Sequence, residues 1–147
     1  MRNYTLDEVN ACLPALTEIF TRVFKIRGQL RALYRKLDEQ NFAPDDDNLD
    51  ASLPGAPEDV VHDRQLFKGL VEVLRSDVAA VLDHGCMIKD LDVGLVDWYT
   101  ENGSEPVLLC WKFGEREVGF FHDLEGGFAG RRPVSELRPP RVERLLH

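Results

Sequence analysis

A long apolar stripe at helical spacing dominates the first quarter of the chain. Hydrophobic residues recur in alternating steps of three and four from Leu6 to Leu37, and Arg27 alone breaks the series. A repeat held over about four heptads is typical of helices that pack along one seam, as coiled coils do. The pattern therefore predicts a first helix over residues 5–40.

Two local signals shape this helix. Thr5 and Glu8 have the T-x-x-E spacing of a capping box, in which each side chain accepts a hydrogen bond from the other residue's backbone N–H. Pro14 has no N–H to donate inside the helix. We therefore expect a kink, or a restart near Asn10, which can cap a new turn.

A break and a second apolar seam follow. Residues 41–59 contain three prolines and a run of aspartates without any apolar period, which predicts a mobile, acidic connector. A second helix is predicted over 60–85, because apolar residues from Phe67 to Val81 again alternate steps of four and three. Gly85 stands where a helix commonly ends on a residue with positive φ. The two helices predict an antiparallel, coiled-coil-like hairpin.

The rest of the pattern consists of short apolar runs separated by turn residues. It predicts a small antiparallel β-meander with a Gly/Arg loop over residues 86–134, and Asn102-Gly103 is a tight-turn signal within it. We expect the meander to pack on the hairpin. The result is one α+β domain over residues 1–147, with a basic tail at 135–147.

For one hairpin of the meander, the sequence also predicts which residues of the two strands face each other. Two apolar runs, 107–112 and 117–122, flank a short segment in which Gly114 fits the first position of a two-residue type II′ turn. That turn fixes four facing pairs: Lys112 with Glu117, Trp111 with Val118, Leu109 with Phe120, and Val107 with His122. The pairing gives a salt bridge on one face and an aromatic–aliphatic ladder on the other.

Composition narrows the class of protein. With 147 residues, of which 44% are hydrophobic and 30% charged, the chain fits one globular domain rather than a disordered segment. A net charge of −8 disfavours nucleic-acid binding, which depends on Lys and Arg contacts to phosphate. No apolar run reaches the roughly 20 residues of a membrane helix, and no signal-peptide core is present, so no membrane association is expected. Three cysteines without a C-x-x-C pair favour a reducing cytoplasm.

Several short motifs occur together in an order that resembles one family. They are TLDEVN (5–10), LP (13–14), GLVD (94–97), LCW (109–111), GE (114–115), His122 and GFAGRRP (127–133). The set resembles the prokaryotic domain of unknown function 2203 family over nearly the whole chain except the acidic connector. Two features depart from the family pattern: Phe121, where a Trp is usual, and the long connector. The resemblance implies a shared fold and no particular activity, because none is established for the family.

His122 is the first candidate for chemistry. It ends a predicted strand next to Asp123 and ahead of a glycine-rich loop, a location where functional residues often lie. With Asp97 or Asp123 to orient it, the imidazole could bind a divalent metal or act as a general base. The alternative is a structural role, in which His122 only bonds the loop. A binding role predicts that His122→Ala leaves the melting temperature nearly unchanged, whereas a large loss of stability favours the structural role.

The loop Gly126–Arg132 is the second candidate. Gly127 and Gly130 permit backbone N–H groups to converge on an anion, which Arg131 and Arg132 could bind bidentately. The alternative is that the arginines pair with carboxylates of the same region, namely Glu125, Asp123 or Asp97.

Other chemistry-bearing residues are assigned to the core. Cys12, Cys86 and Cys110 lie in predicted apolar segments and are interpreted as small hydrophobes rather than nucleophiles. Trp98 and Trp111 are likewise predicted core residues.

Two functions remain open. The seam and a second stripe (Ile19, Ile26 and Leu33) offer more apolar surface than one hairpin needs, which favours a non-enzymatic interaction or oligomerisation module. Its partner is a second copy of the chain or a helical protein. The alternative is an enzyme or binding protein that depends on a metal or an anionic ligand, with its site at His122 and the loop Gly126–Arg132. A divalent metal would be its cofactor.

Overall fold

The computed structural model describes residues 2–140, Val142 and Leu146, so residues 141, 143–145 and 147 of the predicted basic tail lie outside it. Within the described part, the chain forms these helices and strands: α1 (Leu6–Glu39), α2 (Glu58–Leu82), β1 (Met87–Asp90), β2 (Leu95–Asn102), β3 (Glu105–Lys112), β4 (Phe120–Asp123) and β5 (Arg132–Pro133). The predicted α+β class, with a helical hairpin and an antiparallel sheet, is confirmed.

The chain divides into two compact units. The sheet unit consists of residues 1–20 and 81–147, and it holds the strands and the first turns of α1. The hairpin unit consists of residues 21–80 and holds the rest of α1, the connector and nearly all of α2. Each unit has buried apolar side chains of its own. The single domain over residues 1–147 stays a prediction.

In the sheet unit, the strands form an antiparallel meander in the order β1-β2-β3-β4-β5. The Asn102-Gly103 signal does mark a tight turn, because Asn102 pairs with Glu105 across a two-residue connection. Consecutive strands are therefore neighbours throughout, and side chains from β2, β3 and β4 lie next to each other on each face.

The core of the sheet unit lies between the first turns of α1 and one face of the sheet. Trp98 and Trp111 are on this face and fully buried, as predicted. The Phe20 ring centroid lies 6.3 Å from that of Trp111, and Val9 and Leu16 of α1 are also 0% exposed. Burying each large apolar side chain contributes about 1.5–3 kcal/mol.

α1 begins at the predicted capping box and runs without interruption. The Thr5 N–H donates to Glu8 Oε1 at 2.9 Å, and the Glu8 N–H donates to Thr5 Oγ1 at 3.2 Å. The expected restart near Asn10 is wrong, because the helix is continuous through Pro14. Asn10 has another role: its Oδ1 accepts a hydrogen bond of 2.7 Å from the Val118 N–H.

The predicted register of the β3–β4 hairpin is wrong by one residue. The observed pairs are Val107–Asp123, Leu108–His122, Leu109–Phe121 and Cys110–Phe120. The expected two-residue turn is replaced by a loop of residues 113–119. Because a slip of one residue moves every side chain to the other face, His122 lies on the face opposite Trp111.

Side chains at the start of the loop 113–119 explain its length. The Glu115 N–H donates to Lys112 O at 3.0 Å, which places Gly114, with φ 99°, third in a four-residue turn. Glu115 Oε1 accepts from the Lys112 N–H at 2.7 Å, and Trp111 Nε1–H donates to Glu115 O at 3.0 Å. These three bonds hold residues 111–115 in a turn at the start of the longer loop.

In the hairpin unit, α1 and α2 run antiparallel. The Arg22 guanidinium binds Asp77 with bonds of 2.7–3.1 Å, and Lys36 pairs with Asp63 at 2.8 Å. Arg22 precedes Lys36 in α1, whereas its partner Asp77 follows Asp63 in α2, as an antiparallel hairpin requires. None of the described helices combines the length and the apolar character needed to cross a membrane.

The start of the acidic connector is attached to α2. Arg64 is 6% exposed and donates to the backbone carbonyls of Phe42 at 2.7 Å and Asn48 at 2.6 Å. Carbonyl oxygens bonded to a buried guanidinium hold that part of the connector in place. The mobility expected for the connector as a whole stays a prediction.

The end of α2 requires a glycine. Gly85 has φ 84°, as predicted, and its N–H donates to Leu82 O at 3.0 Å. A Cβ at this position would overlap the Tyr4 ring. The Tyr4 backbone is fixed in turn, because its N–H donates to Tyr99 O of β2 at 2.8 Å.

We expect Gly85→Ala to lower the free energy of unfolding by about 2 kcal/mol or more, since positive φ costs an L-residue about 1–2 kcal/mol and the Tyr4 ring must also move. Gly69→Ala is the matched control, because Gly69 lies within α2 with open space around it. There, alanine should stabilise the protein by about 0.5–1 kcal/mol. Urea unfolding followed by circular dichroism measures both effects, and a shift of the same sign in both variants would contradict this packing.

Candidate functional site

Three chemistry-bearing side chains meet on the sheet face opposite Trp111. Asp97 of β2 pairs directly with Cys110 of β3, and His122 of β4 pairs with Leu108, two residues before Cys110 and on the same face. One ligand atom from each side chain lies within 4.8 Å of the other two. The residues are 1%, 0% and 2% exposed, respectively, so the cluster is fully buried.

The hydrogen bonds of His122 fix its orientation. Nδ1 lies 2.7 Å from the backbone carbonyl of Asp123, and a carbonyl oxygen only accepts, so Nδ1 carries a proton. Nε2 lies 3.0 Å from Asp97 Oδ2, and one proton must lie between them for a hydrogen bond to form. Whether that proton belongs to nitrogen or oxygen, the pair is neutral overall, as burial of two titratable groups demands.

The third member of the cluster is a protonated thiol. Burial and the nearby Asp97 carboxylate together raise the pKa of Cys110 to about 12, while the Arg131 guanidinium opposes both effects. Within the described part of the chain, Asp97 Oδ1 is buried and accepts no hydrogen bond. The cluster therefore holds a spare carboxylate oxygen close to a thiol.

The predicted Gly/Arg loop lies beside this cluster. At Gly126 it passes close to His122, since a Cβ added there would come within 3.6 Å of the His122 Cβ. The Arg131 guanidinium stacks between the rings of Phe120 and Phe128, at 4.0 Å and 4.6 Å from their centroids. Phe120 pairs with Cys110 in the sheet, so these stacked groups adjoin the thiol.

Arg131 is bound to a carboxylate. Its Nη2 lies 2.8 Å from both oxygens of Glu115, and the side chain is 10% exposed. Pairing was one of the two alternatives for the arginines, but Glu115 was not among the expected partners. Arg132 does approach an expected partner, Asp123, at 3.9 Å, and its guanidinium lies over the Phe121 ring.

The predicted site residues therefore separate into two sets. Asp97 and His122 are brought together in the buried cluster. Asp123, Gly130 and Arg132 are exposed, Gly127 is half-buried, and Asp123 reaches His122 only through its backbone carbonyl. Anion binding by the Gly/Arg loop stays a prediction, with Arg132 as its more accessible arginine.

Sequence reasoning missed Cys110 and Glu115. The predicted register set Cys110 opposite Gly119 and placed His122 on the other face of the sheet. Cys110 was therefore interpreted as a small hydrophobe. The observed register pairs Cys110 with Phe120 and brings His122 to the same face. The sequence did contain a signal for this contact. Counting outward from the Asn102-Gly103 turn pairs Asp97 of β2 with Cys110 of β3, which places both side chains on one face of the sheet.

The other two cysteines are not members of this cluster. The Cys86 thiol donates to Val81 O at 3.3 Å, and burial raises its pKa to about 12. Cys12, on α1, donates to Glu8 O at 3.4 Å, and burial raises its pKa as well. Neither thiol has the lowered pKa of a nucleophile.

Comparison with known proteins gives one family. The family model described as "Uncharacterized conserved protein (DUF2203)" matches residues 2–134. No curated protein and no solved structure matches the chain significantly.

Proposed function

This chain belongs to the DUF2203 family of uncharacterized conserved proteins, and from its geometry we propose that it is a self-association module without enzymatic activity. Two copies pair their hairpin units, residues 21–80, into a four-helix bundle. The exposed apolar side chains of the hairpin unit carry the proposal.

Apolar surface remains uncovered along the hairpin. Within the described residues, four large hydrophobic side chains of this unit are more than a third exposed: Tyr34 (46%), Val61 (38%), Leu66 (46%) and Val73 (43%). The predicted seam of α2 is also only half-buried, at Phe67, Val71, Leu74 and Val78. A hairpin that covered its own seam would bury these positions, so a further helix surface has room to pack here.

The uncovered surface includes a groove between the two helices. Leu66 and Leu70 of α2 line one side, Ala32 and Leu33 of α1 line the other, and the groove encloses about 280 Å³. Leu66, Leu70 and Val73 follow the 3–4 spacing of a coiled-coil seam. Side chains at this spacing fit between those of an antiparallel partner helix.

Charge favours a second copy as the occupant. Residues 21–39 of α1 carry six basic and two acidic side chains, whereas residues 58–80 of α2 carry five acidic and three basic ones. A two-fold arrangement that sets α1 of one copy against α2 of the other brings these opposite charges together twice. Such pairing also sets the register, as charges beside a coiled-coil seam do.

The mass of the particle in solution tests the proposal. Light scattering on purified protein should show a mass that rises from 16.8 kDa toward twice that value with concentration. Leu66→Glu should shift the protein to the monomer at all concentrations, because it buries an unpaired carboxylate in the interface.

Leu124→Glu is the matched control, since Leu124 is 47% exposed, lies in the sheet unit and makes the same chemical change. It should leave the mass of the wild type unchanged. A wild type that stays monomeric at high concentration overturns self-association and leaves a helical protein of another kind as the occupant. A Leu66→Glu variant that associates as the wild type does overturns the hairpin groove as the interface.

We also place the protein in the cytoplasm. This is supported by three free cysteines, two of them buried, in a chain whose stability owes nothing to a disulfide.

A further inference from the structure

We infer that Asp97, Cys110 and His122 together bind one divalent transition-metal ion, with zinc as the best match. The inference is independent of self-association, because all three residues lie in the sheet unit.

The donor set suits zinc. One imidazole nitrogen, one sulfur and one carboxylate oxygen form a mixed N/S/O set, which borderline ions such as Zn²⁺ accept and which Mg²⁺ and Ca²⁺ do not. Zinc–ligand bonds of about 2.0–2.3 Å place tetrahedral ligand atoms roughly 3.3–3.7 Å apart. The three atoms already lie within 4.8 Å of one another, so rotamer adjustments of about 1 Å would close the site.

The surroundings of His122 are those of a metal ligand. A ligating histidine commonly donates its second ring N–H to a carbonyl or carboxylate, which fixes the ring and the tautomer. Here Nδ1–H donates to the Asp123 carbonyl at 2.7 Å and leaves Nε2 directed at Asp97. The ring is therefore already oriented with Nε2 in the position of a ligand atom.

Asp97 supplies the second observation. Its Oδ1 is buried with no hydrogen bond in the described part of the chain, although a buried carboxylate oxygen normally has a partner. The residue is 1% exposed, so bulk water does not serve it. An ion placed among Asp97, Cys110 and His122 would give this oxygen atom the partner it lacks.

Binding keeps the site neutral. Without the ion, the cluster holds a thiol proton and one proton shared by Asp97 and His122. A divalent ion that displaces both protons leaves a thiolate, a carboxylate and a neutral imidazole around two positive charges. The charge is unchanged, two protons are released, and no redox step is involved.

Cobalt(II) titration tests the site directly. Protein freed of metal with a chelator is titrated with Co²⁺ and followed by absorption spectroscopy. We expect a thiolate-to-cobalt charge-transfer band in the near ultraviolet and the intense visible bands of a tetrahedral site, saturating at one ion per chain. Zinc should then bleach the spectrum, because it binds the same ligands without d–d transitions.

Variants identify the ligands. Cys110→Ser should abolish the charge-transfer band, and Asp97→Asn should weaken Co²⁺ binding at least tenfold. Cys86→Ser is the matched control, because Cys86 is also a buried thiol in the sheet unit but lies outside the cluster; its titration should match that of the wild type. Circular dichroism confirms that each variant is folded.

The wild type alone can decide the question if Cys110→Ser does not fold. Absence of a charge-transfer band in the wild type, or its loss in Cys86→Ser with retention in Cys110→Ser, overturns the inference. Elemental analysis of untagged protein purified from cells adds a second readout, with near-stoichiometric zinc in the wild type and none in His122→Ala expected.

Discussion

His122→Ala is expected to lower the free energy of unfolding by about 3–5 kcal/mol at neutral pH in protein freed of metal, the range found when one partner of a buried pair is removed. The substitution leaves Asp97 1% exposed with no group to neutralise it. It also opens a cavity against the loop at Gly126. Urea denaturation followed by circular dichroism and tryptophan fluorescence measures the loss.

Asp97→Asn is the control for this experiment. The asparagine amide can donate to Nε2 of a neutral His122 while Nδ1–H still donates to the Asp123 carbonyl, so we expect a loss of only about 1 kcal/mol. In Asp97→Asn/His122→Ala, the cost of removing the histidine should fall, because no carboxylate is left unpaired. A loss below about 1 kcal/mol in His122→Ala would contradict a buried, paired imidazole.

This expectation changes how the substitution is interpreted. On the sequence alone, a large loss of stability in His122→Ala favours a purely structural histidine. Because the structure buries His122, a large loss now follows from either role. Only the metal titration, and not the melting temperature, separates a ligand from a structural pair.

Trp111→Ala is expected to cost about 3–5 kcal/mol, the range for removing a fully buried aromatic side chain. Trp111 is 0% exposed and contacts the rings of Phe20 and Phe113, each 6.3 Å away between centroids. Its Nε1–H also donates to Glu115 O, so the substitution loosens the start of the loop 113–119 as well as the core.

Trp111→Phe separates the two contributions. It keeps an aromatic ring in the core and removes the indole hydrogen bond, so we expect a loss of about 1–2 kcal/mol. Guanidinium unfolding measures the free energy of unfolding of each variant. If its dependence on guanidinium concentration is unchanged, the differences in stability arise in the folded state. If alanine and phenylalanine cost the same, packing against Phe20 does not stabilise the sheet unit.

Local patterns predicted the helical part of this fold well. Thr5 and Glu8 form the capping box because both partners lie within four residues, and the seam of α1 depends on spacing alone. The Asn102-Gly103 turn was found for the same reason. In each case, the interactions that decide the structure lie within one turn of the residues that signal it.

The β3–β4 register depends on contacts that no local pattern shows. The Val118 N–H bonds Asn10, which is 108 residues away in sequence, and Glu115 binds both the loop backbone and Arg131. These bonds favour a seven-residue loop over the short turn that Gly114 suggested. The one-residue error in the predicted register hid the cluster, because it placed His122 on the Trp111 face of the sheet and not on the face of Cys110.

The edges of the sheet limit how this protein can aggregate. An exposed edge strand invites pairing with strands of other molecules unless it is short, irregular or carries proline. At one edge, β1 has only four residues and a bulge between Ile88 and Asp90; at the other, β5 has two, one of them Pro133. Neither edge offers a long, regular strand with which a strand of another chain could form backbone hydrogen bonds. The sheet should therefore resist growth into cross-β assemblies even when the protein is concentrated.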